Sequence, residues 1–153
     1  MFILAFALYA LDRLFKHIVI NNIQPGEIFS VIPQMLNITY VKNTGIAFGM
    51  FSELGRYSIV AVNLMILLLC CAALSKLKSK FMTNCFYFIA FGAAGNIIDR
   101  LAYGYVVDFI DLTLIFRIPA FNLSDCMIVF AVVAASVFIL KSDQSHSEKI
   151  EKD

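Results

Sequence analysis

The sequence predicts an all-α membrane protein, with four transmembrane helices and a small extracytoplasmic β-sheet. Three observations carry that expectation. The chain of 153 residues is 61% hydrophobic and only 15% charged, against roughly 45–50% and about 25% in soluble domains. Its mean hydropathy is +0.84, too apolar to cover a small soluble domain with polar surface. Four apolar stretches approach the roughly 20 residues that cross a bilayer core. The 15 Phe, 7 Gly and 3 Pro exclude disordered and collagen-like chains. A net charge of +1 leaves no basic footprint for nucleic acid.

The first span, residues 1–20, is apolar except for Asp12, Arg13, Lys16 and His17. Its Ala5-Phe6-Ala7 lies too near the start for a cleaved leader, so it is read as a retained helix. Residues 57–75 and 81–98 form spans two and three and carry no charge. The fourth, 123–140, carries only Asp125. Lys76, Lys78 and Lys80 between spans two and three place that turn in the cytoplasm by the positive-inside rule. Both termini, including the polar tail 141–153, then lie inside. The connections 21–56 and 100–122 lie outside. All 153 residues form one domain. Residues 35–42 alternate apolar and polar, and Asn43-Thr44-Gly45 leads into Ile46-Ala47-Phe48-Gly49, which reads as strand, turn, strand. Pro25-Gly26 and Pro33 punctuate this connection. Cys70, Cys71, Cys85 and Cys126 show no metal or disulfide spacing and are read as free thiols.

This topology gathers the acids. Span three brings Asp99 and Arg100 to its outer end, and span four opens with Asp125. Asp108 and Asp111 lie on the connection between them. At about 1.5 Å per residue, Asp12 lies roughly 18 Å up span one. Acids at such depth are costly and mark functional sites, yet each also has a plain structural reading. Asp12 can pair with Lys16 at i, i+4. Asp99 can pair with Arg100. Asp111 is expected in solvent. Asp125, after Asn122-Leu123-Ser124, can serve a helix N-terminus. Asp108 lies among Val106, Val107, Phe109 and Ile110, where ionisation is disfavoured. Two carboxylates sharing a proton suit general acid/base activation of water, and the pair can be any two of Asp99, Asp108 and Asp125. No HExxH, HxxEH or GxSxG is present, which disfavours zinc and serine hydrolases. Asn43, Asn96 and Asn122 lie at the same outer level and can orient a carbonyl, whereas Asn63 suits interhelical bonding. A proton relay or transporter would spread its acids through the membrane depth, and an assembly subunit would need no acid pair.

Five segments, in order, resemble lipoprotein signal peptidase (signal peptidase II). Asp12-Arg13-Leu14-Phe15-Lys16 resembles the family's Asp-x-x-x-Lys. Asn43-Thr44-Gly45-Ile46-Ala47-Phe48 matches its Asn-x-Gly-x-Ala-Phe turn. Gly95-Asn96-Ile97-Ile98-Asp99-Arg100 resembles Gly-Asn-x-x-Asp-Arg. Gly104-Tyr105-Val106-Val107-Asp108-Phe109 and Phe121-Asn122-Leu123-Ser124-Asp125 resemble the last two. The resemblance implies an aspartyl endopeptidase of the bacterial inner membrane. It would remove signal peptides from diacylglyceryl-modified prolipoproteins, cutting just before the lipidated cysteine. It implies four helices with an extracytoplasmic β-cradle, a monomer among membrane lipids, and no metal or other cofactor. Carried over by motif, Asp108 and Asp125 are the catalytic pair. Asp99 becomes a supporting residue, paired with Arg100 or another cation. Asn43, Gly45, Asn96, Arg100 and Asn122 would bind substrate or orient the pair, with Asp12 at the edge. The chain departs from the family at Ser124, where alanine is usual, and at Phe91, where glycine is common. Arg13 and Phe15 replace polar residues, which argues against a specific role near Asp12. The segment 49–57, with Gly49, Ser52, Glu53 and Gly55, would suit a mobile lid.

Overall fold

The computed structural model describes residues 1–45, 56–74, 79–112 and 118–150. Four long helices stand in chain order: α1 (Phe2–Asn22), α2 (Arg56–Leu74), α3 (Lys80–Tyr103) and α4 (Leu123–Ile150). Strands β1 (Ile28–Ile32) and β2 (Leu36–Asn43) lie between α1 and α2, and β3 (Val106–Asp111) lies between α3 and α4. Helix α3 is the hub and packs against α1, α2 and α4. The α3–α4 contact is close at Gly92, where an added Cβ would lie 2.6 Å from the Ser124 carbonyl oxygen, and at Gly95, where it would lie 2.3 Å from Ser124 Oγ. On its other side α3 presents Phe91 to Phe2, Phe6 and Tyr9 of α1, with ring centroids 5.4–5.8 Å apart. The bulky residue at the position where glycine is common thus binds α1 to α3.

Helix α3 runs to Tyr103, past the expected end of span three at residue 98, and Asp99 and Arg100 lie within its last two turns. It stops at Gly104, whose φ of 88° is left-handed and whose N–H donates to the Arg100 carbonyl at 3.1 Å. A residue with a Cβ is strained in that conformation. The stop releases the chain into β3 two residues later. At the other end of the chain, α4 extends as helix to Ile150, past the expected end of the fourth span.

The three strands form an antiparallel sheet in the order β1-β2-β3. The β1–β2 turn is closed by Met35 N–H donating to the Ile32 carbonyl at 3.0 Å, with Pro33 leading and Gln34 at φ 61°. The strand expected over 35–42 is therefore present as β2. Its expected partner at Ile46–Gly49 lies outside the described residues, as do most of the lysine turn and the segment 46–55. The partners found are β1 and β3, both read from sequence as connection. Strand β3 is buried along nearly its whole length, so it lacks the alternation that marks a half-exposed strand. Register sets Asp108 opposite Val41 and Val106 opposite Asn43. Beyond β3, Phe121 exchanges backbone bonds of 2.8–3.0 Å with Phe109 and Ile110. This bridge brings the start of α4 against β3.

Burial runs opposite to that of a soluble protein. Asp12, Lys16, Asp99, Asn122 and Ser124 are fully buried, while Phe2, Ile3, Leu4, Leu14 and Phe15 of α1 are exposed. Among the described residues, α3 and residues 123–142 of α4 are long and apolar enough to cross a bilayer. The α1 face that carries Asp12 and Lys16 points into the protein. All four cysteines are free thiols.

Candidate active site

Three asparagines hold two carboxylates. Asp108 on β3 is 1% exposed. Its Oδ2 accepts from Asn43 Nδ2 at 2.8 Å, and its Oδ1 from Asn122 Nδ2 at 2.6 Å. Asp125 lies in the first turn of α4. Its Oδ1 accepts from Asn96 Nδ2 at 2.8 Å, and its Oδ2 from the Asn122 backbone N–H at 3.2 Å. Asn122 precedes the helix, and its Oδ1 accepts the Asp125 backbone N–H at 2.9 Å. Asn122 and Asp125 therefore form a reciprocal cap, each side chain taking the other's N–H. The same Asn122 amide that caps α4 grips Asp108, which joins the two acids through one residue.

An asparagine amide can point either way unless its partners decide. Here they do. Asn122 Oδ1 faces a backbone N–H, and Asn43 Oδ1 accepts the Gly45 N–H at 3.0 Å. Each amide is left to present NH2 to Asp108. Burial, and next the charge of Asp125, push Asp108 up to about 7, with the Asn43 and Asn122 bonds opposing the shift.

A cavity of about 270 Å³ opens on both acids. Its polar end is Asn43, Asn96, Arg100, Asp108 and Asp125, and its apolar walls include Leu67, Ile89, Ala93, Ile128 and Val129. Arg100 Nη2 donates to the Gly45 carbonyl at 2.6 Å and Nη1 to the Asn96 carbonyl at 3.4 Å. The guanidinium so pins the turn after β2 against α3. Asn63 of α2 also lines this cavity.

Behind the acids lies a buried ionic set. Lys16 Nζ stands 2.9 Å from Asp12 Oδ2 and 2.9 Å from Asp99 Oδ2. Asp99 also pairs with Arg13 and accepts the Val107 N–H at 3.2 Å. Asp12 takes the Ser124 N–H at 3.2 Å and its hydroxyl at 2.8 Å. These bonds tie α1 to α3 and to α4 one residue before Asp125, and tie α3 to β3 one residue before Asp108. Among the described residues, no group of three or more His, Cys, Asp or Glu side chains is arranged to hold a metal ion.

Comparison with known proteins decides the family. Residues 4–141 match the family model described as signal peptidase (SPase) II. The chain belongs to the signal peptidase II family. It is 39% identical over 140 residues to a lipoprotein signal peptidase of Thermodesulfovibrio yellowstonii, covering 90% of each chain. It is 38% identical over 133 residues to one from Moorella thermoacetica, covering 86% of each. A bacterial membrane enzyme solved by the in meso method superposes with a TM-score of 0.86 at 30% identity, covering 94% of this chain and 88% of that one. Membership makes the chain an aspartic protease of lipoprotein processing and a bacterial membrane enzyme.

Within this signal peptidase II family chain, the residues expected at the site divide into two layers. Asp108, Asp125, Asn43, Asn96 and Arg100 line the cavity, with Asn122 and Gly45 bonded to them. Asp12 and Asp99 lie behind in the ionic set. Asp99 pairs with another cation, the second of the two expected options: among the described residues its ion-pair partners are Arg13 and Lys16, while Arg100, the next residue on the helix, points about 100° away. Other expectations are corrected. The departures at Arg13 and Phe15 argued against a specific role for the Asp12 motif, yet Arg13 binds Asp99 and the Gly95 carbonyl. Ser124 reaches Asp12. Asp111 is buried and accepts from Asn37 Nδ2 at 3.2 Å, because β3 turns it toward β2. Lys16 was legible in the Asp-x-x-x-Lys segment, but nothing in the sequence marked it as reaching Asn96.

Proposed function

We propose that the chain cleaves diacylglyceryl-modified prolipoproteins just before the lipidated cysteine, with Asp108 and Asp125 as its catalytic dyad. The observation that carries this reading is the double grip of Asn122, whose side-chain amide donates to the Asp108 carboxylate and whose backbone N–H donates to the Asp125 carboxylate, with both acids lining one cavity. Asp125, ionised, takes a proton from a water molecule. The resulting oxygen attacks the scissile carbonyl carbon while protonated Asp108 donates to the carbonyl oxygen. A tetrahedral diol forms. Its collapse breaks the C–N bond, with a proton passing to the leaving amine of the cysteine. The pair needs one proton between its two members, and burial, which raises Asp108 to about 7, supports keeping that proton on the pair near neutral pH.

Asn43, Asn96 and Asn122 aim the carboxylates, while Arg100 and Gly45 hold the turn at the polar end. Asp12 and Asp99 support from behind. The apolar walls would take the signal segment, which enters sideways from the outer leaflet with its acyl chains in lipid. The reading includes one domain and four spans, with α1 and α2 crossing as well as α3 and α4. The lipid-compatible outer face of α1 supports that count. Both termini would be cytoplasmic, the sheet extracytoplasmic, and the enzyme a monomer.

The test is cleavage, in liposomes, of one prolipoprotein with and without its diacylglyceryl group. Wild type should cleave the lipidated form alone, and Asp108→Asn or Asp125→Asn should cleave neither. Turnover in both single variants would sink the dyad.

A further inference from the structure

We propose that Lys16 is a positioning residue for the hydrolysis and acts through the amide of Asn96. The inference rests on the dyad reading above. Lys16 is fully buried and is not part of the cavity wall, so it touches neither substrate nor water there. Its ammonium has three protons and no acceptor. Two of them face Asp12 and Asp99, and the third donates to Asn96 Oδ1 at 3.1 Å. Asn122 Nδ2 approaches the same oxygen at 3.3 Å. With its oxygen held by donors, Asn96 turns NH2 to Asp125 Oδ1 at 2.8 Å.

The three asparagines thus share one design. Each oxygen is held by a group that only donates, and each NH2 is left for a carboxylate. For Asn43 and Asn122 the holding group is a backbone N–H, which no substitution other than proline removes. For Asn96 the strongest holding group is a side chain on another helix, 80 residues away. Without Lys16 the amide of Asn96 can rotate and set its oxygen against the oxygen of Asp125. The carboxylate then loses both a donor and its alignment with water, and small displacements in such geometry cost up to about a hundredfold in rate. Lys16 accordingly acts on turnover and not on substrate binding.

The test uses the full chain in liposomes with the lipidated prolipoprotein. Lys16→Met should lower kcat roughly 10–100-fold with KM changed less than about twofold. Asn96→Ala should lower kcat similarly. The double variant Lys16→Met/Asn96→Ala should be no slower than Asn96→Ala alone, because residues that act through one group do not add. Arg13→Gln removes a cation from Asp99 without touching Asn96 and should lower kcat far less than Lys16→Met. Multiplying losses in the double variant, or equal kcat losses in Arg13→Gln and Lys16→Met, would mean that Lys16 only anchors α1 and would overturn the proposal. Because Lys16→Met leaves two buried anions, Asp12→Asn/Lys16→Met is made beside it to keep the charge balanced. Failure of both to fold assigns Lys16 to folding alone and likewise overturns it. Asp108→Asn and Asp125→Asn are assayed in the same series. Turnover in both defeats the dyad reading itself, whatever Lys16 does.

Discussion

Buried carboxylates need donors, and the residue that supplies them here is asparagine, which brings hydrogen bonds without charge. Asn122 carries the most, with bonds to Asp108, to Asp125 and to Asn96. Asn122→Ala should remove nearly all turnover and also about 0.5–2 kcal/mol of stability through loss of the cap, read by cleavage rate and by thermal unfolding in detergent. The proton on Asp108 has two further consequences. Folded Asp108 titrates at about 7, above the ordinary 3.8, so the folded state holds that proton more tightly than the unfolded chain. Stability from this group is therefore full below about pH 4 and falls as pH rises toward about 7. On the dyad reading, turnover should likewise decline on the alkaline side near pH 7 as Asp108 loses its proton, which a kcat profile from pH 5 to 9 checks. Ser124→Ala, which restores the usual family residue, should cost about 1.5 kcal/mol by removing a hydroxyl bond to a charged acceptor, with unfolding temperature as the measure.

At the level of elements, α3 carries the site because its neighbours approach it closely. Gly92→Ala sets a methyl 2.6 Å from a backbone carbonyl of α4, which cannot rotate away. The helices must separate, at a cost of about 1–3 kcal/mol, seen as a lower unfolding temperature. Gly95→Ala instead strikes the Ser124 hydroxyl, so Ser124→Ala should recover part of its loss. The four helices were legible in the sequence because apolar runs of this length have few other meanings. Strand β2 was legible from its alternation. Strand β3 was not, since burial on both faces erases the period-two signal, and β1 is exposed at every position. Asp108 and Asp125 emerged from chemistry as two of three possible acids and were singled out by resemblance. Of the ionic set behind them, the i, i+4 pair Asp12–Lys16 was legible, whereas the bonds to Asn96, Asp99 and Ser124 were hidden because they join residues up to 112 apart. Helix phase shows which way Arg13 and Asp99 point only once two helices are set side by side.

The described residues enclose an ionic and amide set between helices whose outer faces are apolar, and those faces make topology a measurable property. In a variant lacking the four native cysteines, Gln34→Cys in the β1–β2 turn should react with an impermeant maleimide on intact cells. Ser145→Cys near the C-terminus should react only after the membrane is opened. The reverse pattern would invert the proposed orientation. The cavity, near the lower end of the about 300–1,000 Å³ typical of small-ligand sites, suits a short extended peptide rather than a folded partner.

The ionic set also has a history within each newly made molecule. Helix α1 is synthesised before α3 and brings Asp12, Arg13 and Lys16 toward the membrane, while its partners Asn96 and Asp99 follow 80 and 86 residues later. At about 5–20 residues per second, α1 waits roughly 4–17 s for them. During that interval its own Asp12 answers only one of its two cations. On the four-span reading, the first helix cannot be settled by the lipid alone. Its final seat in the membrane is completed only when the third helix and then the fourth arrive, since Asp12 also holds Ser124 at the start of α4.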